Sequence, residues 1–185
     1  DTVDSMVHDG LWDVYSNQHM GNCAELCAKE RNIDRAQQDA FAAESYRRAL
    51  AAQKDGRFTG EIVGVKVPGK GGETVVSVDE EPGRGNIEKL PSLRAAFQKD
   101  GTVTAGNASQ LSDGASALVM MSRAEALRRG VAPLGEFVSY GMVAGPDSAS
   151  LLHQPSRAIL LAAERAGIAI GDLDLFEINE AFAAV

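Results

Sequence analysis

Three apolar runs, separated by two well-punctuated helical stretches, constrain this chain more than any other feature. Ala115 to Met121 is almost wholly apolar, as in a strand covered on both faces, and Leu134 to Val143 and Leu173 to Ile178 read as further buried strands. Between the first two runs, Ser122 and Glu125 have the spacing of a capping box and Gly130 suits a helix C-terminus. Between the second and third, Pro155 opens a helix whose Ile159, Ala162, Ala163 and Ala166 face one way, and Gly167 ends it. Strand, helix, strand, helix, strand predicts a layered α/β sheet with helical cover. No internal repeat is present.

The first hundred residues have another character. Asp1 to Gly21 is mixed, holds Trp12, the single tryptophan, and reads as irregular or short-helical. A short helix follows over Asn22 to Glu30. A longer one runs from Arg35 to about Lys54, with Asp34 as N-cap and Gln37 completing a reciprocal capping box. Ala36, Ala40, Ala43, Tyr46, Ala49 and Leu50 form the expected inner stripe, with Phe41 off it. Glu61 to Val67 alternates, glycines at 69, 71 and 72 turn the chain, and Thr74 to Val78 returns, which predicts a β-hairpin. Leu90, Leu93 and Phe97 suit a short helical or irregular crossing.

A mass of 19.5 kDa allows one ordinary core or one and a half smaller ones. A net charge of -8 repels polyanions on average, which argues against nucleic acid or an anionic membrane as partner. Two cysteines, Cys23 and Cys27, make no disulfide framework, and no leader or apolar run of about 18 residues precedes them. A soluble, reducing compartment is expected. On one helix the two thiols share a face; they read as small buried hydrophobes rather than metal ligands, because nothing supplies the remaining ligands.

Chemistry-bearing residues are sparse. In Gly101 to Ser109, GTVTAGNAS, small residues surround one amide, which suits either a turn or a loop that lets a bulky ligand approach the backbone. Asn179 follows an apolar run and precedes Glu180, so helix capping is its default role; the alternative is an amide that holds a water or an oxyanion. His8, His19 and His153 have no identifiable acidic partner, so no triad is predicted. His19 beside Met20 can line an acyl channel, whereas His153 reads as a loop residue before a helix. Lys66, Lys70, Arg57 and Arg84 stand on or near loops, and Arg84, between glycines, is the best phosphate-gripping candidate. No Walker loop, dinucleotide fingerprint or zinc pattern occurs.

Five strings occur in the order and approximate spacing seen in thiolases, the acyl-CoA Claisen-condensing family. They are His19-Met20-Gly21 followed by Ala24-Glu25, Gln38 to Ala42, Gly101 to Ser109, Ser112 to Ala115, and Asn179 to Ala183. The chain resembles a thiolase over essentially its whole length, with the biosynthetic acetyl-CoA acetyltransferases as the nearest subfamily. The resemblance implies a layered αβαβα fold built from two related halves, present here in part. Residues 1–100 would be a CoA-binding loop domain inserted in the first half, 101–131 the end of that half, and 132–185 the beginning of the second.

The same resemblance implies an acyltransferase of fatty acid metabolism. Its cysteine takes an acyl group from a thioester, a histidine activates that thiol, and a second cysteine moves the α-proton. These three are expected outside this chain, so the 185 residues alone should be inactive. Carried over by position, Asn179 matches the amide that positions an oxyanion-hole water, and Ala181 and Phe182 stand near the acyl and pantetheine end. Leu11, His19, Met20, Phe97, Ala105 and Ser109 match tunnel-lining positions, and Arg84 a phosphate or adenine contact. Coenzyme A is expected as substrate, with no cofactor and no metal. Pro82, where potassium-activated relatives carry Tyr, argues against a potassium site.

A homo-oligomer, dimer or tetramer, is implied, in the cytoplasm or the mitochondrial matrix of a eukaryote, with no nucleic-acid or membrane partner. Gln110, Ser112 and the turn Leu152 to Pro155 depart from the family pattern and leave acyl chain length open. The competing reading is a non-catalytic CoA-binding or structural module.

Overall fold

The computed structural model describes residues 2–145 and 150–185. The chain forms two compact units, Asp1–Ser109 with Glu180–Val185, and Gln110–Asn179.

The first unit opens with a π-helical turn, Met6–Gly10, and a two-residue ladder, β1 (Trp12–Asp13) against β2 (Gln18–His19). Asn17, at φ 55°, makes the reversal, and its Oδ1 accepts from Trp12 Nε1 at 3.2 Å. Such a ladder is too short to leave an alternating pattern, so the sequence predicts only irregular structure there. Helix α1 (Met20–Arg31) starts where His19 Nδ1 accepts from the Gly21 amide at 3.0 Å, and stops at Asn32 in the left-handed region.

Helix α2 (Arg35–Lys54) carries the predicted capping box, with Gln37 N to Asp34 Oδ1 and Asp34 N to Gln37 Oε1 both at 2.8 Å. Its buried face overlaps the predicted alanine stripe only in part. Ala43 is buried and Tyr46 and Ala49 are half-buried, but Ala36, Ala40 and Leu50 are exposed, and Gln38, Asp39 and Ala42 are buried in their place. The face is chosen by hydrogen bonds that Gln38 and Asp39 find on distant segments, which outweigh a count of methyl groups. Ala42 and Ala43 pack with Leu90 of the 3₁₀ turn Ile87–Ser92, flanked by Ile87 of the same turn and by Leu93, which caps it. Burying Leu90 contributes about 2 kcal/mol.

The hairpin β3 (Val65–Gly69) and β4 (Gly72–Val76) forms in the register Val65↔Val76 to Gly69↔Gly72, with both strands exposed. Gly72 at φ 118° needs the freedom of glycine. The short helix α3 (Glu81–Arg84) follows.

In the second unit, helix α4 (Arg123–Arg129) has Glu125 N donating to Ser122 Oγ at 3.2 Å and ends at Gly130, φ 65°. The Glu125 carboxylate pairs with Arg128 and Arg129, and hydrogen bonds from Arg128 and then Arg129 hold it below the usual carboxylate range. Helix α5 (Gln154–Ala166) has Pro155 in its first turn and is capped by Gly167, φ 69°, with the predicted stripe of Ile159, Ala162, Ala163 and Ala166 buried or half-buried. Residues 139–141 lie against it: Ser139 Oγ donates to Ala162 O at 2.5 Å and Arg165 Nη1 to Tyr140 O at 2.8 Å. A Cβ on Gly141 would stand 2.3 Å from Ala158 O, so only glycine permits that approach.

The three apolar runs do not form the predicted strands. They are without a ladder among the described residues, and Leu118 (86% exposed), Val119, Leu134 and Leu175 stand largely in solvent. A strand exists only through a ladder of hydrogen bonds to a neighbouring strand, and no such ladder reaches these segments among the described residues.

Candidate functional site

The residues singled out by the sequence meet at the start of α1. Met20 N donates to Leu11 O at 2.8 Å, which ties the opening turn to the helix entrance. The His19 ring, with Nδ1 engaged by the Gly21 amide, stacks on Phe97 at 4.8 Å and 29°. Phe97 meets Phe182 edge-on at 6.3 Å and 78°. Offset stacking and edge contact are the favoured arrangements for aromatic rings, so the three form a defined corner. Gly21 makes room for it, since a Cβ there would fall 2.4 Å from three ring carbons of Phe97.

Phe182 is delivered by a backbone bridge. Ala108 pairs with Phe182, Ser109 N donates to Ala181 O at 3.0 Å, Ser109 Oγ to the same oxygen at 3.2 Å, and Ala183 N to Asn107 O at 2.8 Å. The first unit therefore gathers Leu11, His19, Met20, Phe97, Ser109, Ala181 and Phe182 into one run of contacts.

Ala105 is exposed on the turn between Thr104 and Ala108. That turn is closed internally: Asn107 Oδ1 accepts from Thr104 N at 2.7 Å, and a Cβ on Gly106 would meet Leu90 Cδ2 at 2.4 Å. Gly106 and Asn107 thus serve the protein's own packing, which settles the turn alternative for these two. Arg84 stands on α3, two-thirds exposed, in ion pairs with Glu80 and Glu81. It is a neutralised cation instead of the open phosphate grip that the flanking glycines suggest.

Asn179 belongs to the second unit and is exposed. Among the described residues it caps no helix: the six that follow it hold a bend at Ala181, a bridge at Phe182 and a turn at Ala183 and Ala184.

The carboxylates behind the loop at 101–109, Glu25 and Asp39, stand in two of the family-like strings, but the sequence pattern assigned them no role. Glu25, only 6% exposed, accepts from Thr102 N (2.8 Å), Thr102 Oγ1 (2.9 Å) and Val103 N (2.9 Å). Gln38 Nε2 donates to Thr102 Oγ1 at 2.9 Å. Asp39, also 6% exposed, accepts from Arg35 Nε at 2.7 Å and Asn107 Nδ2 at 3.0 Å. Polar residues at these helix positions carry no sign of burial in the sequence, because their partners lie more than sixty residues away.

Cys23 and Cys27 are fully buried on α1, as expected of structural hydrophobes. Burial pushes both thiols up from the ordinary value of 9.0, with Asp13 adding to the rise at Cys23 and Arg31 opposing it at Cys27. Above that value the unfolded chain releases protons that the folded chain keeps, so stability is lost as pH rises through the folded pKa values. Both should resist iodoacetamide in the native chain at pH 7 and react in denaturant, measured by intact mass; fast native modification would show a thiolate-bearing site instead.

His8 Nδ1 lies 2.8 Å from Asp9, both exposed, an acidic partner that the sequence reading missed. His153 stands directly before α5, but as the last residue of a 3₁₀ turn, Ser150–His153, and not in a loop. Lys66 pairs with Glu73 and Arg57 with Asp55 at the surface. Among the described residues, no group of His, Cys, Asp or Glu is arranged to hold a metal, and no helix is long and apolar enough to cross a membrane.

Comparison with known proteins bears on this geometry. The thiolase N-terminal domain model matches residues 1–124 and the thiolase C-terminal domain model residues 131–185. An acetyl-CoA acetyltransferase of Shinella zoogloeoides is 51% identical over 98% of the chain and 46% of its own length. One of Schizosaccharomyces pombe is 50% identical over 99% of the chain and 47% of its own length. The crystal structure of the Bacillus anthracis acetyl-CoA acetyltransferase superposes with a TM-score of 0.89 at 40% identity, covering 100% of this chain and 47% of that one. The chain spans about half the length of the curated relatives it matches.

Proposed function

Because this chain belongs to the thiolase family, we propose that it is part of an enzyme that condenses two acetyl-CoA to acetoacetyl-CoA and CoA, or cleaves short 3-ketoacyl-CoA in reverse. Its share of that work is to hold the acyl-CoA. The observation that carries this reading is the corner of His19, Phe97 and Phe182, edged by Ser109 and Ala181.

In this proposal the aromatic faces pack against the pantetheine arm and exclude water from the thioester. Ser109 Oγ, which donates to Ala181 O, keeps lone pairs able to accept from a pantetheine amide. Leu11 and Met20 extend the apolar wall, Ala105 leaves room at the exposed turn, and Arg84 meets the nucleotide end by exchanging a carboxylate for a phosphate. Asn179 supplies an amide donor for a water or for negative charge developing on the thioester oxygen. The acyl-carrying thiolate and its histidine base are not assigned to Cys23, Cys27 or any histidine here, since a buried thiol with a raised pKa is a poor nucleophile.

The division into loop domain (1–100), end of the first half (101–131) and start of the second (132–185) belongs to the same proposal. So do a homo-oligomeric enzyme of fatty acid metabolism and a cytoplasmic or mitochondrial location.

Calorimetric titration with CoA tests the reading. Binding with a Kd below about 1 mM, abolished by Ser109→Trp, is the expected result. A folded chain that does not bind CoA, or a Ser109→Trp variant that binds equally well, would favour a purely structural module.

A further inference from the structure

We propose that the Arg35–Asp39 ion pair on α2 is a positioning device that sets the angle between the Phe97 and Phe182 rings; the ligand-wall reading above is its premise. Two segments carry these rings, and the pair holds both. Arg35 Nη2 donates to Leu90 O at 2.6 Å and Leu93 O at 2.9 Å, anchoring the stretch that leads into Phe97. Asp39 is bound to Arg35 through one carboxylate oxygen and accepts from Asn107 Nδ2 through the other. The Asn107 carbonyl in turn takes the Ala183 amide, beside Phe182.

One turn of α2 therefore governs two strands of contact that converge on one corner. The pair is an i,i+4 arrangement whose carboxylate side chain is 8% exposed and whose guanidinium is 25% exposed. Every carboxylate oxygen has a donor, and the second guanidinium nitrogen has two carbonyl acceptors. A surface pair at the same spacing would hold nothing; here the satisfied network leaves little freedom for either segment. Neither residue touches the ring faces themselves, so the effect is on geometry and not on chemistry.

Two variants test this in the full chain. Asp39→Ala removes the acceptor for Asn107. Arg35→Lys keeps a positive charge beside Asp39 but loses the guanidinium hydrogen bonds to Leu90 O and Leu93 O. Each is examined by through-space NMR contacts among the rings and by CoA titration.

Both variants are expected to lose the Phe97–Phe182 contact, keep the His19–Phe97 contact, and bind CoA about tenfold more weakly. Retention of the Phe97–Phe182 contact in a folded variant would overturn the proposal. Should Asp39→Ala fail to fold, Arg35→Lys alone decides. Should the unaltered chain not bind CoA, the ligand-wall reading fails while the NMR contact still judges the positioning.

Discussion

Glu25→Ala is expected to cost this chain about 4 kcal/mol. The carboxylate takes the amides of Thr102 and Val103 and the Thr102 hydroxyl, and Val103 and Thr104 are completely buried. Truncation leaves two interior N–H groups without an acceptor, at about 1–3 kcal/mol each, before any cavity is counted. Glu25→Gln restores one carbonyl oxygen and should cost about half as much. Thermal unfolding followed by far-UV circular dichroism measures both. The melting temperature should fall by about 10 °C for the alanine variant, and a drop of less than about 2 °C would mean that the Glu25 contacts do not hold the 101–109 segment.

Gly21→Val should act on ligand binding more than on stability. Its Cβ would occupy the space of the Phe97 ring, 2.4 Å from three carbons. The ring is on a flexible side chain and can swing away, at an overpacking cost of about 1–2 kcal/mol. Swinging away separates it from both His19 and Phe182, which dismantles the corner. CoA affinity should fall by about thirtyfold, in line with about 2 kcal/mol of lost complementarity. Unchanged affinity would show that the corner is packing alone.

Both outcomes turn on contacts that a sequence reading reaches unevenly. The capping box of Asp34 and Gln37, the stop at Gly167 and the hairpin around Gly72 were legible because each is decided within a few residues. The buried face of α2 was legible only in part. Its apolar count favours Ala36 and Ala40, yet the interior accepts Gln38 and Asp39, because Thr102 and Asn107 supply their hydrogen bonds. No local pattern encodes a partner so far along the chain.

The apolar runs at 115–121, 134–143 and 173–178 illustrate the same limit from the other side. Their composition marks burial and extension, but a ladder needs a neighbouring strand, and composition does not say where that neighbour is. For the site, seven of the positions matched by resemblance converge in one unit, while local chemistry had pointed within that group only to His19 beside Met20 and to the loop that ends at Ser109. Arg84 went the other way. Its glycine neighbours suggested an open cation, and the preceding Glu80 and Glu81 neutralise it.

The most direct test is a CoA titration of the isotope-labelled chain, read from the ring resonances of His19, Phe97 and Phe182. Saturable shifts at all three, with the β3–β4 hairpin unmoved, are the expected result. Saturable binding that leaves these rings unperturbed and moves other residues would contradict the assignment of this corner to the acyl-CoA.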